Sequence, residues 1–217
     1  LSALRIDNLI VELSGPEIPI CDGSSRDFLS AIQRVGVIEQ DQPRKYCYVT
    51  QPIYISEGDK QAYVVPYHGL RVSVTIEFPH PQIGKQKLDL DINEQSFTRE
   101  IASARTFGFL RDVEALKSKG LAKGGSLENA IVLSDSGIIN PEGLRFPDEF
   151  VRHKALDALG DLVTLSMPLM GHVVLYKAGH DLMNKLVKKI LASPDSYKHI
   201  ELGAEIEPSL LFSLQRS

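Results

Sequence analysis

Three side chains fall into one line on a helix-prone stretch. In residues 148–167, DEFVRHKALDALGDLVTLSM, His153, Asp157 and Asp161 stand at i, i+4 and i+8. At about 100° per residue they project as one row. An imidazole and a carboxylate one turn apart can grip one divalent cation, because the helix brings both to the same point. Asp161, a turn further on, is free to reach a different partner. Lys154 flanks the row. Gly160 borders it, costs the helix about 1 kcal/mol against alanine, and leaves room for a close neighbour. His180 adds a second imidazole between a strand-like run, HVVLYKAG, and a helix-like one. Such junctions are frequent places for a catalytic side chain. Together, His153, Asp157, Asp161 and His180 make a cation site with an acid/base pair. The competing reading is a solvated ion pair on an open helix face beside a structural histidine. A catalytic zinc takes three protein ligands and a water, so this inventory is one ligand short.

These residues need elements to hold them. Val151, Ala155, Leu159, Leu162 and Val163 fall within an arc of roughly 120°, away from the row. That arc predicts the buried face of a helix over 148–167, with Asp148 as its N-cap and Ser166 as the one polar residue inside the arc. Residues 5–13, RIDNLIVEL, predict a strand, and 14–24 a structured loop. Ser25 and Asp27 suit the start of a helix over 26–36. Residues 37–45 are polar, contain Pro43 and read as a domain boundary. From 46 onward YCYVTQPIYI, QAYVVPY, LRVSVTIEF and QKLDLDI predict an antiparallel sheet. Residues 97–107 are ambiguous, and 111–118 read as helix. The turn KGGS at 123–126 precedes a short strand at 129–134. A strand over 172–179 and a helix over 180–193 complete the pattern, and 195–217 carries none.

Composition narrows the function classes. Lysine and arginine total 24 against 28 aspartate and glutamate, a net charge of −4, with 43% hydrophobic and 24% charged residues. These are globular values. They exclude a disordered chain and argue against a basic nucleic-acid binder. No apolar run approaches the ~20 residues of a membrane-spanning helix, so no stable membrane insertion is expected. Cys21 and Cys47 read as two buried free thiols of a reducing compartment.

The segment Arg152–Asp161 resembles the RHKxxDxxGD motif of the zinc-dependent UDP-3-O-acyl-N-acetylglucosamine deacetylases of lipid A biosynthesis. Further motifs stand in family order: Gly15–Ile20 with Asp22–Ser24, Ala104–Phe109, Gly120–Leu121 with Gly124–Leu127, Asn140–Arg145 and Ala178–Leu182. The likeness runs over roughly 1–192. It implies an α+β fold of two-layer α/β sandwich domains, the second complete and the first only partly present. The expected division is 1–42 as the remnant of the first domain, 46–194 as the second, and 195–217 as a tail. It implies that His153 and Asp157 are two zinc ligands (Fe2+ being accepted by the same set), and that His180 is the general acid or electrostatic stabiliser, with Asp161 as its partner. Thr106 is implied to help hold the oxyanion. Lys154 and Phe107 would contact the substrate head group, and Val113, Gly125, Ser126, Leu127 and Ala130 would line the acyl-chain passage. The implied activity is hydrolysis of the N-acetyl amide of a UDP-sugar acyl substrate by a cytoplasmic monomer. Leu1–Leu4 matches the end of a TVEHLLSAL-like stretch whose glutamate is the family's base and whose histidine is its third ligand. Leu4 runs directly into Arg5–Asn8, where relatives carry a few more residues. These 217 residues are therefore expected to bind zinc weakly or not at all and not to deacetylate. A non-catalytic ligand- or partner-binding remnant, and one part of a deacetylase/dehydratase fusion, are the alternatives.

Overall fold

A computed structural model describes residues 1–112 and 125–202. Its strands are β1 (Arg44–Val49), β2 (Ile53–Glu57), β3 (Lys60–Val65), β4 (Leu70–Phe78), β5 (Gly84–Asp91), β6 (Phe107–Phe109), β7 (Ile131–Leu133), β8 (Leu169–Tyr176) and β9 (Tyr197–Leu202). Four helices among the described residues matter here: α1 (Arg26–Val35), α2 (Glu94–Glu100), α3 (Glu149–Leu162) and α4 (His180–Leu191). The class is α+β, as the motifs imply.

β8 is the axis of the main sheet. On one side it pairs antiparallel with β3, which β2 extends. β8 also pairs in parallel with two strands, through its first two residues with β1 and through the rest with β4. β5 extends β4, and β9 extends β1. The sheet is thus mixed, not antiparallel as its four early runs suggest. Those runs do form the hairpins β2–β3 and β4–β5. β8 arrives only after a long connection containing α3, and such a crossover is what lets a strand enter in parallel.

Period-two alternation decides which face the helices cover. On β4, Val72, Val74 and Ile76 are buried, while Arg71, Thr75 and Glu77 are not. α3 lies on β4 and β5, α4 lies on β2 and β3, and the two helices touch each other. Phe150, Val151, Ala155 and Leu159 of α3 and Leu182, Met183, Leu186 and Ile190 of α4 meet the sheet's Val49, Val64, Val72 and Val173 in one core.

Several local expectations need correction. Residues 6–13 carry no strand. A strand needs a ladder partner, and among the described residues none lies alongside; Ile10 is 87% exposed. Side-chain bonds from Arg44 to Asp7 and between Asn8 and Gln40 hold this stretch instead. α3 ends at Leu162, five residues early, and passes through a 3-10 turn to Ser166, whose φ is +59°. That change of pitch turns Val163 outward and Leu165 inward. Asp148 occupies the N-cap, but its carboxylate accepts from Arg152 Nε at 2.6 Å rather than from the helix backbone. Residues 197–202, which lack a sequence pattern, form β9. Cys47 is buried, and burial pushes its thiol up to about 11; Cys21 is exposed. Most of the 111–118 helix lies outside the described residues.

On the face of the sheet away from α3, Arg71 donates to both oxygens of Asp89, at 3.0 and 2.8 Å. Ser73 Oγ lies 2.8 Å from Asp89 and 2.8 Å from His172 Nε2. The Arg71 bonds, helped by Ser73 and opposed by partial burial, hold the Asp89 carboxyl at about 2. Because the folded value lies below the ordinary one, the stabilisation is full above about pH 4 and is lost as pH falls through 2. D89N should therefore lower stability at pH 7 by about 1 kcal/mol or less, the pair being partly exposed. The gap from the parent should close between pH 4 and pH 2 in thermal melts; an equal gap at both ends contradicts this origin. A second expectation concerns Gly23, whose φ is +79° and whose carbonyl accepts from Thr106 N at 2.8 Å. A Cβ there would stand 2.0 Å from the Asn129 carbonyl oxygen. G23A should cost about 2 kcal/mol or more in urea denaturation; an unchanged midpoint is the contrary result.

Candidate metal and acid/base site

The row His153–Asp157–Asp161 does not face open water. The segment 104–109 crosses it, because β6 pairs in parallel with β7 and Phe107 packs edge-on against Phe150 of α3 at 5.0 Å between ring centres. His153 is therefore buried, 7% exposed. Its Nδ1 lies 3.1 Å from the Ala104 carbonyl oxygen. A carbonyl only accepts, so Nδ1 carries the proton and donates. Nε2 is then the atom turned toward Asp157, 3.2 Å from Oδ1. Two donors on one tetrahedral zinc, with bonds of 2.0–2.2 Å, stand about 3.4 Å apart. The pair thus fits two coordination positions of one cation.

Asp157 Oδ2 accepts from Lys154 Nζ at 2.7 Å. Burial alone would raise the Asp157 carboxyl, but the hydrogen bond and charge of His153, with those of Lys154, outweigh it and bring it down to about 2. The carboxylate is ionised at neutral pH, as a ligand must be. Lys154 Nζ also sits 5.6 Å from the centre of the Phe107 ring. A charged head and an aromatic face are thereby presented side by side at the rim.

His180 is the first residue of α4, placed there by the extended Gly179 at the end of β8. Its Nδ1 lies 2.9 and 3.0 Å from the two Asp161 oxygens. Nε2 is consequently the outward nitrogen, 3.8 Å from Asp157 Oδ2, and the side chain is 59% exposed. A cleft runs between α3 and the β8–α4 junction, with Leu175, Ala178 and Met183 as its apolar floor and Lys154, Asp157, Asp161 and His180 as its polar rim. The three row residues and His180, all named from the sequence, are brought together. Among the described residues, no group of three or more His, Cys, Asp or Glu side chains converges on one point for a cation.

The other named positions are distributed differently. Thr106 follows the Ala104–Arg105 peptide directly, with its backbone fixed between Gly23 O (2.8 Å) and Ile131 N (2.7 Å). Gly125, Ser126 and Leu127 are exposed and Ala130 half-buried. Their hydrogen bonds run to Asn129 and Asn140: Ser126 N donates to Asn129 Oδ1, and Asn140 Nδ2 donates to the carbonyls of Leu127 and Ala130. Val113 lies outside the described residues. A Cβ at Gly160 would meet nothing within 4 Å, so no neighbour uses the space that its glycine leaves.

Two participants escaped the sequence reading. The Ala104 carbonyl has no side-chain signature. Glu149, which opens α3, is wholly buried and paired with Arg105, which is 3% exposed. An arginine in one motif and a glutamate opening the next helix were the only signal of that pair.

Residues 1–192 match the family described as UDP-3-O-acyl N-acetylglycosamine deacetylase. The UDP-3-O-acyl-N-acetylglucosamine deacetylase of Bdellovibrio bacteriovorus is 75% identical over 206 residues, which are 95% of this chain and 68% of that protein. The same-named protein of Myxococcus xanthus is 53% identical over 198 residues, 91% of this chain and 63% of its own length. That of Syntrophotalea carbinolica is 47% identical over 203 residues, 94% of this chain and 66% of its own. The chain spans about two thirds of the length of the curated relatives that it matches. With His153 and Asp157 of the RHKxxD motif on one turn-spaced row, and the AGHD histidine docked on that row's last carboxylate, the chain belongs to the UDP-3-O-acyl-N-acetylglucosamine deacetylase family.

Proposed function

We propose that these residues form part of the site of a metal-dependent amide hydrolase that removes the N-acetyl group from a UDP-3-O-acyl-N-acetylglucosamine, in lipid A biosynthesis in the cytoplasm. One observation carries the reading: the Asp157 carboxylate stands 3.2 Å from His153 Nε2 through one oxygen and 3.8 Å from His180 Nε2 through the other. His153 Nε2 and Asp157 Oδ1 would hold zinc, for which imidazole and carboxylate are ordinary ligands, or Fe2+. When bound, such a cation supplies Lewis acidity and a water that is nucleophilic at neutral pH.

The chain's own groups account for the remaining needs of amide cleavage. Asp161 fixes His180 with Nδ1–H inward, so a protonated ring presents Nε2–H to the cleft, where the departing amine needs a proton. The same positive charge stabilises the negative oxygen of the tetrahedral stage, with the Thr106 hydroxyl as a second donor. Lys154 and Phe107 offer an ammonium and a ring face to a sugar nucleotide. Gly125, Ser126, Leu127, Ala130 and Val113 are assigned to the acyl chain, whose burial supplies binding energy far from the reacting bond. By the family likeness, the third ligand and the general base belong to the stretch that ends at Leu1–Leu4.

Acetate release from the UDP-sugar acyl substrate and bound zinc should be measured for the 217 residues alone and for the chain extended to the length of its relatives. Weak zinc uptake and no turnover are expected from the first, and turnover from the second. Full activity of the 217 residues alone would refute the ligand count, and an inactive extended chain would favour a non-catalytic remnant. In the active form, H180A and D161N should each lower kcat by ~10²-fold or more while zinc content stays unchanged. H153Q should remove the zinc. Unchanged kcat in H180A dismisses the acid role.

A further inference from the structure

We propose that Glu149 is a positioning residue for His153, acting through the peptide unit between Ala104 and Arg105. The proposal rests on the reading of His153 as a cation ligand. The Ala104 carbonyl and the Arg105 N–H belong to one planar amide, so neither can turn without the other. The carbonyl accepts from His153 Nδ1 at 3.1 Å, and the N–H donates to Glu149 Oε1 at 3.0 Å. Glu149 and His153 stand one turn apart on α3. Both ends of a single amide are thus tied to the same helix, one to a carboxylate and the other to the imidazole.

The Arg105 side chain closes this arrangement. Its Nε donates to Glu149 Oε1 at 2.9 Å and its Nη2 to Oε2 at 3.2 Å. Its remaining donors reach Glu142 at 2.7 Å and the Gly143 carbonyl at 2.6 Å. A flipped amide would set its carbonyl against the buried Glu149 carboxylate and its N–H against the imidazole N–H, two like-charged contacts. The carboxylate therefore selects the amide orientation, and the amide selects a protonated Nδ1 on His153. A carboxylate on the N–H also polarises the amide and strengthens the carbonyl as an acceptor. A pair serving packing alone has no need of the backbone N–H. Partners that orient a ligating imidazole typically govern cation affinity by 10–100-fold.

The test uses the chain extended to the length of its relatives, its E149Q variant and H153Q as a reference. The His153 Nδ1–H proton is followed by NMR hydrogen exchange, and zinc affinity is measured by competition with a chelator. The parent should show a protected Nδ1–H. Folded E149Q, judged by its melting transition, should exchange that proton at least tenfold faster and bind zinc ~10–100-fold more weakly. E149D, which keeps the charge but withdraws it from the peptide, should move both readouts the same way and replaces E149Q if the latter does not fold. An unprotonated Nδ1 in the parent overturns the proposal whatever the variants do. So does a folded variant with unchanged exchange and a zinc Kd within twofold. Equal zinc binding by parent and H153Q would instead remove the cation reading, while the exchange measurement still judges the role of Glu149.

Discussion

A fully buried charge pair governs this architecture. Arg105 and Glu149 stand together in the interior, the one 3% exposed and the other not at all. Ions are expensive to bring out of water, and a pair repays that cost only when every donor and acceptor is satisfied. Here they are. Glu149 takes the Arg105 guanidinium, the Arg105 backbone and the Arg145 backbone, and the spare arms of Arg105 find Glu142 and the Gly143 carbonyl. The 104–106 segment is thereby fixed to 142–145 and to the start of α3, 37 to 44 residues further along the chain. Loss of either partner would leave an uncompensated charge, a defect worth about 3–5 kcal/mol.

The site inherits its order from that point. α3 presents His153 and Asp157, 104–106 presents the Ala104 carbonyl, and the β8–α4 junction presents His180. The three meet because α3 and α4 lie side by side on one sheet face. The two imidazoles approach different oxygens of the Asp157 carboxylate, yet each has its own Nδ1 anchor, Ala104 O for one and Asp161 for the other. Separate anchors hold the two rings independently, as the proposed division into a cation ligand and a proton donor requires.

Legibility in the sequence followed physical range. Helix periodicity is local, so the His153–Asp157–Asp161 row and the helices α1, α3 and α4 could be read from spacing alone. Strand runs are local too, and β2 to β5 stood where alternation put them. Pairing direction is not local: nothing within LMGHVVLY says that β8 lies parallel to β4, since its neighbours are chosen by the crossover. β9 was illegible for the same reason, because YKHIEL alternates weakly and is a strand only by lying against β1. Residues 5–13 failed in the opposite sense, having a strand's pattern and no described partner. At the site, side chains with chemistry were visible, while the backbone carbonyl and the buried glutamate that orient them were not. The 3-10 turn over Val163–Leu165, closed by Ser166 in the left-handed region, turned Val163 outward and Leu165 inward, and no spacing rule announced it.

The placement of β1 has a consequence for how the molecule comes into being. Its only ladder neighbours among the described residues are β8 and β9, both near the far end of the described chain. At translation rates of about 5–20 residues per second, β1 leaves the ribosome roughly ten to thirty seconds before both edges can be filled. During that interval Cys47 and Val49, later sealed in the interior, travel unprotected. Assembly of the sheet is therefore a late event with long-range closure, the kind of topology that folds slowly and benefits from holding chaperones.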